Sequence, residues 1–228
     1  MVNANRKSPS HNPKSTVMET QRIPTSPESL RLACEVLRAG GLVAFPTDTV
    51  YGVGALAFDG SAVESIYAAK DRPVEKAIPV LVGDPADLAK VALEVPEMAA
   101  SLAAHFWPGP LTLVIPKHPD LPESVSVTAT VGVRVPDHPV AIALLRLAGP
   151  MAVTSANLSG QPSPSTAQEV FAQLSGRIAM IIDGGITPGG VPSTVADCTG
   201  MEPKVLRDGP VSENEIRSVL GLDLSSVL

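Results

Sequence analysis

Hydrophobic residues recur along most of the chain in two patterns, one with helical spacing and one of short continuous runs. Ser26 followed by Pro27 predicts the start of a helix, and Gly40 predicts its end. Other helix starts are indicated where Ser or Thr precedes Glu by three positions, as in a capping box. These signals are Ser61 with Glu64, Thr166 with Glu169 and Ser212 with Glu215; Asp84 before Pro85 and the segment HPVAIALLRLAG add two more.

Short runs rich in Val and Ile predict strands between these helices. The runs cover residues 41–45, 78–82, 111–115, 131–135, 151–154, 178–182, 194–198 and 203–206. Several are too uniformly apolar to have a solvated face, so helices are expected on both sides of the sheet. The pattern predicts an α/β fold with a mixed sheet, in one domain from about residue 26 to residue 224.

The first 25 residues differ from the rest in composition. The segment MVNANRKSPSHNPKSTVM contains three basic residues, two prolines and no acidic residue, and it offers little to bury. Such a composition is typical of a disordered segment, so residues 1–25 are predicted to be a disordered N-terminal extension.

Charge and composition narrow the function classes. The chain has a formal charge of −6 and a pI of about 5.2, so its net charge would not attract nucleic acid. Cys34 and Cys198 are far apart and the histidines lack ligand spacing, which predicts a reduced, cytoplasmic protein without a protein-built metal site. No apolar run approaches the roughly 18 residues of a membrane helix, so no membrane association is expected.

The stretch GLVAFPTDTVYGVGALAF, residues 41–58, interrupts a buried run with hydroxyl groups and an acid. Its GVGALA formally fits a dinucleotide-binding pattern, but that pattern needs a strand directly before it and a helix directly after. Neither condition is met here, because hydroxyl residues precede the glycines and residues 58–60 separate them from the predicted helix. A strand, a turn and a second strand are an alternative, with Thr47 and Asp48 making local turn bonds. The segment by itself leaves a turn and a ligand site both open.

Three cations crowd the loop after the predicted helix at residues 61–70. Lys70, Arg72 and Lys76 could be a solvated helix C-terminus, where the helix dipole favours cations. Their proximity to a buried strand instead favours phosphate binding. Small polar groups and arginines such as Arg134 follow other apolar strands, and in open α/β sheets ligands bind at that edge.

Six segments in order carry a family resemblance: FPTDTVYGVG, AAKDRPVEKAIPVLV, FWPGPLTLV, VGVRVPDHP, TSANLSGQPSPST and VPSTVADCT. They resemble the YrdC-type, TsaC-like L-threonylcarbamoyl-AMP synthases over about residues 41–207. The resemblance implies a twisted, mixed sheet around a positively charged cleft. It also implies a nucleotidyltransferase that joins L-threonine, bicarbonate and ATP into threonylcarbamoyl adenylate and pyrophosphate.

The resemblance also implies residue roles. Thr49, Arg134 and Ser193 would hold threonine, and Lys70 with Arg72 would be catalytic. The ATP side of the cleft would be formed by Lys70, Arg72, Lys76, Thr130, Ser155, Asn157, Ser163 and Arg207. Magnesium would arrive with ATP because the sequence has no carboxylate cluster that would build a dedicated cage. For Asp48, a turn-forming or orienting role and a chemical role both remain open.

The implied product serves N6-threonylcarbamoyladenosine synthesis on tRNA, reached indirectly through a downstream transferase complex, with weak RNA binding as a further expectation. A double-stranded RNA-binding module is an alternative, although an aromatic content of 3% and an acidic chain offer no stacking platform. A carbamoyl-transfer domain of the hydrogenase-maturation type is the other alternative. Pyrophosphate release that requires both threonine and bicarbonate would separate the three classes.

Overall fold

The computed structural model describes residues 18–188 and 190–222, in which a ten-stranded sheet forms the centre. The strands are β1 (Gln21–Pro24), β2 (Val43–Pro46), β3 (Tyr51–Leu56), β4 (Val80–Leu81), β5 (Leu111–Pro116), β6 (Thr130–Arg134), β7 (Met151–Ser155), β8 (Met180–Asp183), β9 (Thr194–Asp197) and β10 (Lys204–Arg207). Across the sheet they run in the order β1-β8-β2-β3-β7-β4-β6-β5-β9-β10. Parallel and antiparallel neighbours alternate irregularly, for example β2 with β8 and β2 with β3, which confirms the predicted mixed α/β sheet.

Helices connect many of these strands. They are α1 (Pro27–Arg38), α2 (Gly60–Lys70), α3 (Leu88–Val91), α4 (Glu97–Phe106), α5 (Pro139–Ala148), α6 (Ala167–Leu174) and α7 (Glu213–Val219), with a 3-10 turn at Pro85–Asp87. Within the described ranges, none is long and apolar enough to cross a membrane. Ser26, Thr166 and Ser212 cap their helices as predicted.

The start of α2 differs from the prediction. Its N-cap is Asp59 rather than Ser61, because the Asp59 carboxylate accepts from the Ala62 N–H at 3.0 Å and from the Ser61 hydroxyl at 2.7 Å. The Asp59 carboxylate, two residues before Ser61, therefore accepts from the free Ala62 N–H at the start of the helix. The expected pairing of Ser61 with Glu64 is not the cap.

Regular structure also begins earlier than predicted. Strand β1 runs parallel to β8, and Thr20 just before it donates to the Ile178 carbonyl at 2.6 Å. Residues 18–25 therefore belong to the domain, which corrects the expected boundary of the N-terminal extension. Residues 1–17 and the predicted domain end at residues 223–224 lie outside the described part of the chain.

Two apolar clusters sandwich part of the sheet. The larger one lies on the face that carries α2, α4, α6 and α7. The smaller one lies on the other face, where Leu37 of α1 and Leu144 of α5 pack against Phe45, Met180 and Ile182 of β2 and β8. Helices α1 and α5 thus cover only one half of this second face, and the other half carries the cleft described below.

Candidate functional site

A cleft of about 350 Å³ lies on the open half of the second sheet face. Seven adjacent strands contribute to its lining: β3, β7, β4, β6, β5, β9 and β10. The cleft spreads over the face of the sheet, although three of its residues, Arg134, Ser155 and Arg207, are the last residues of β6, β7 and β10. Side-chain alternation builds the rest of the lining, since successive residues of a strand point to opposite faces.

Strands β5 and β6 show this alternation directly. Leu111 and Leu113 point into the larger apolar cluster, whereas Thr112 between them lines the cleft. On β6, Val133 likewise faces the cluster and Arg134 faces the cleft. Each strand thus contributes one apolar face to the core and one more polar face to the cleft.

The turn between β2 and β3 presents Thr49 to the cleft. The Thr47 hydroxyl donates to the Val50 carbonyl at 2.7 Å and accepts from the Thr49 N–H at 3.2 Å. The Thr49 hydroxyl lies 3.0 Å from that of Thr47, so it donates to Thr47. The segment is therefore both the predicted local turn and part of the cleft.

Arg134 is held in place by three acceptors. Its Nε donates to the Gly109 carbonyl at 2.9 Å, one Nη donates to the Thr49 hydroxyl at 3.2 Å, and the other Nη donates to Asp48. Burial lowers the pKa of Arg134, and the Asp48 carboxylate opposes that shift. The structure thus gives Asp48, whose role the sequence left open, an orienting contact with Arg134.

Arg207 and Ser193 form a second polar group in the cleft. Arg207 donates to the Ser193 carbonyl through Nε at 3.0 Å and through Nη2 at 2.7 Å, and Nη2 also lies 3.0 Å from the Ser193 hydroxyl. The pairing register shifts between Val205 and Arg207, as in a β-bulge. Because of the bulge, the consecutive residues Leu206 and Arg207 both line the cleft.

Arg72 lines the cleft from the loop after α2. Its guanidinium donates to the carbonyls of Lys76 at 3.2 Å and Ala77 at 3.0 Å. Burial lowers the pKa of Arg207, and the charge of Arg72 adds to the shift, which indicates that the two guanidinium groups repel each other. Among the described residues, neither forms an ion pair with a carboxylate, so a polyanion would relieve this repulsion.

Lys70 is not among the residues that line the cleft, and its contact with phosphate stays a prediction. Its side chain is 1% exposed, and its Nζ donates to the carbonyls of Ser155 and Asn157. Burial, followed by the charge of Arg72, lowers the pKa of Lys70 to about 7. The lysine thereby fixes the end of β7 and the turn after it, and Ser155, the last residue of β7, lines the cleft.

The other predicted ATP-side residues divide in the same way. Asn157 is 7% exposed and its amide donates to the carbonyls of Leu158 and Gln161, both at 2.8 Å, so it supports the same turn. Lys76, Thr130 and Ser163 lie outside the cleft lining. Of the predicted residues, the structure brings six into the cleft: Thr49, Arg72, Arg134, Ser155, Ser193 and Arg207.

Several cleft residues had no counterpart among the predicted site residues, among them Thr112, Thr154 and Leu206. Thr112 had a detectable signal, since it is a polar residue at an alternate position of an apolar strand. Leu206 had none, because a bulge sets its direction. In the described ranges, no group of three or more His, Cys, Asp or Glu side chains gathers as possible metal ligands.

Comparison with known proteins shows which family this chain belongs to. The family model Sua5_yciO_yrdC, described as "Telomere recombination", matches residues 35–209. The chain belongs to this family. The YrdC-type family prediction is therefore confirmed.

Characterised relatives carry related names. A Bacillus subtilis protein named threonylcarbamoyl-AMP synthase is 44% identical over 205 residues, which are 89% of this chain and 59% of that protein. A Mycobacterium tuberculosis protein named putative threonylcarbamoyl-AMP synthase is 45% identical over 86% of this chain and 90% of its own length. The chain thus spans less than two thirds of the first relative and nearly all of the second.

A solved family structure has the same fold. Pyrococcus abyssi Sua5, described as complexed with L-threonine, superposes with a TM-score of 0.84 at 44% identity. The match covers 90% of this chain and 61% of that one. This agreement confirms the predicted YrdC-like fold.

Proposed function

We propose that this protein is a threonylcarbamoyl-AMP synthase that converts L-threonine, bicarbonate and ATP into threonylcarbamoyl adenylate and pyrophosphate. The observation that carries the proposal is one cleft with two kinds of arginine. Arg72 and Arg207 face it without a carboxylate partner among the described residues, whereas Arg134 is oriented by Asp48 and Thr49. A triphosphate suits the first pair, and an amino-acid carboxylate suits the second group.

The residue roles follow from these positions. Arg72 and Arg207 contact the phosphates, and Ser155 lines the nucleotide side of the cleft. Thr49, Arg134 and Ser193 hold L-threonine. Lys70 and Asn157 act indirectly by fixing the end of β7 and the turn that follows Ser155. Lys76, Thr130 and Ser163 have no assigned contact in this proposal.

The chemistry needs positioning more than a covalent nucleophile. The threonine ammonium group first loses a proton to solvent, and the free amine then forms a bond to the carbon of bicarbonate while water leaves, giving a carbamate. A carbamate oxygen then bonds to the α-phosphorus while the bond to the bridging oxygen breaks and pyrophosphate leaves with its electron pair. Preorganised guanidinium groups stabilise the charge that develops on the phosphates, and holding both reactants in one cleft supplies the orientation.

A magnesium ion would enter on the triphosphate. The cleft donors do not fit a protein-built cation cage, because the cleft carries guanidinium groups and Asp48 is already paired with Arg134. Mg²⁺ is commonly held largely by substrate phosphates and water, and the protein side chains here would then contact the phosphates rather than the ion.

The adenylate is a reactive mixed anhydride, so a downstream transferase must take up its threonylcarbamoyl group. We place that acceptor chemistry on tRNA, reached through a separate transferase complex, and the protein in the cytoplasm. Weak direct contact with RNA would add to this role without being required for it.

Pyrophosphate release tests the proposed function. Release from ATP should require both L-threonine and bicarbonate, and omission of either should abolish it. Release with carbamoyl phosphate in place of both substrates would instead favour a carbamoyl-transfer domain. RNA binding without pyrophosphate release under any of these conditions would favour an RNA-binding module.

A further inference from the structure

Thr49 stands at the junction of two cavities. It lines the 350 Å³ cleft and also a neighbouring cavity of about 270 Å³. The ion pair between Arg134 and Asp48 straddles the same junction, since Arg134 lines the cleft and Asp48 lines the neighbouring cavity. The two charges therefore face different spaces that meet at one hydroxyl.

Both members of the pair keep unused hydrogen-bonding capacity. A guanidinium has five N–H groups, and Gly109, Thr49 and Asp48 take one each. One N–H on each terminal nitrogen of Arg134 therefore remains for a ligand. Arg134 bonds to Oδ1 of Asp48, and Oδ2 has no hydrogen-bond partner among the described residues. The side chains are 6% and 13% exposed, so each contact is largely shielded from water.

The neighbouring cavity has a simple lining. Besides Asp48 and Thr49, the described residues that line it are Pro188, Val191, Gly209 and Pro210, and among these described residues Asp48 alone is ionisable. A carboxylate without a basic neighbour in this lining attracts a cation. An ammonium group is thus favoured there.

An α-amino acid matches this arrangement because its ammonium and carboxylate groups are attached to the same carbon. We infer that Asp48 binds the ammonium group of the amino-acid substrate through its free oxygen while Arg134 binds the carboxylate. Asp48 is then a specificity-determining residue that selects amino acids over the corresponding hydroxy acids. This inference rests on the proposed function, since it concerns the amino-acid substrate of the same site.

Two ligands distinguish between two roles of Asp48, binding the ammonium group of the substrate and orienting Arg134. In 2,3-dihydroxybutanoate a hydroxyl replaces the ammonium group of threonine, and in threoninol a hydroxymethyl group replaces the carboxylate. Titration calorimetry on the full chain should show that threonine binds at least about tenfold more tightly than dihydroxybutanoate, as expected for a hydrogen bond to a charged group. Threoninol should lose affinity chiefly through Arg134.

The variant Asp48→Asn keeps the shape and removes the charge. Threonine and threoninol should bind about 10- to 100-fold more weakly, whereas the affinity for dihydroxybutanoate should change by less than about threefold. Asp84→Asn is the matched control, because Asp84 also pairs with an arginine, Arg146, and asparagine can keep its capping bond to Ala86. The control should bind all three probes as the unmodified chain does.

Equal weakening of threonine and dihydroxybutanoate in Asp48→Asn would overturn the inference, because Asp48 would then act only by orienting Arg134. Unchanged threonine affinity would overturn it as well. If the variant does not fold, the unmodified chain decides, since equal affinity for threonine and dihydroxybutanoate would be incompatible with ammonium recognition. Threonine binding with the expected selectivity but without pyrophosphate release would refute the proposed function and leave the assignment of Asp48 standing.

Discussion

The covered and open halves of the second sheet face differ in what lies above them. In the covered half, α1 and α5 pack on apolar side chains of β2 and β8. In the open half, the same face carries the cleft. Leu81 marks the border, because its partner on β7 is the buried Met151 and its partner on β6 is Arg134. One continuous hydrogen-bonded sheet therefore supplies a core and a site.

The comparison shows how a sheet face can carry a buried arginine. An unpaired guanidinium placed under a helix would lose its hydration without compensation. Arg134 is 5% exposed, yet its contacts with Gly109, Thr49 and Asp48 replace part of that hydration. The open half tolerates the charge because the turn before β3 and the segment before β5 supply acceptors, which the apolar faces of α1 and α5 could not.

The largest expected effect belongs to the covered half. Leu144 is fully buried between α5 and the sheet, and Leu144→Ala should lower the free energy of unfolding by about 2 to 5 kcal/mol. The kcat/KM of the folded fraction should remain near that of the unmodified enzyme. Urea unfolding and pyrophosphate release measure the two quantities.

Leu147→Ala on the same helix is the matched control, because Leu147 is 51% exposed and should contribute little. If Leu144→Ala lowered the kcat/KM of the folded protein by a free energy as large as the loss in stability, the two halves would be mechanically coupled. The division between a core half and a site half would then be wrong.

Arg72→Ala should have the opposite profile. Loss of one charge-stabilising donor should cost about 2 to 4 kcal/mol of transition-state stabilisation in kcat/KM. The melting temperature should barely move, since the guanidinium bonds only to the nearby carbonyls of Lys76 and Ala77. Arg72→Lys should restore part of the rate, because a point charge lacks the planar fork.

Arg31→Ala is the control for charge removal, as Arg31 is exposed on α1 and pairs with Glu28. It should leave both kcat/KM and stability nearly unchanged. Unchanged turnover in Arg72→Ala would remove this arginine from the phosphate site.

The sequence was sufficient for the fold class, because periodicity is a local property, and its resemblance to the YrdC-type family supplied six cleft residues. It could not show the contacts of Lys70, which are with carbonyls 85 and 87 residues away. It also failed for β1, since a four-residue strand at a sheet edge has no periodicity that separates it from a polar segment. Helix α4 lacked a side-chain capping signal at Pro96. Leu206 could not be predicted because a register shift, and not its residue type, directs it to the cleft.

Lys70 lies at the end of α2, on the opposite face of the sheet, and its titration tests whether this buried amine is charged. Its pKa is about 7 in the folded protein, below the ordinary value of 10.5, so between these pH values the unfolded chain binds more protons. Stability should therefore rise with pH in that window, by up to about 1.4 kcal/mol per pH unit. The measurement is urea unfolding of the unmodified chain and of Lys70→Met from about pH 7 to pH 9. The unfolding free energy of the unmodified chain minus that of Lys70→Met should increase with pH. A constant difference would mean that Lys70 stays charged throughout.

The smallest expected effect lies at the outer edge of the covered half. Thr20 is 8% exposed, donates to the Ile178 carbonyl at 2.6 Å and accepts from the Gly176 N–H at 2.9 Å. Thr20→Val keeps the shape but removes both bonds, so the free energy of unfolding should fall by about 1 to 2 kcal/mol while kcat/KM is unchanged. A chain that begins at Met18 is the control and should match the full chain in both. If Thr20→Val unfolded like the unmodified protein, the attachment of β1 to β8 would add no stability, and the covered half of the sheet would effectively end at β8.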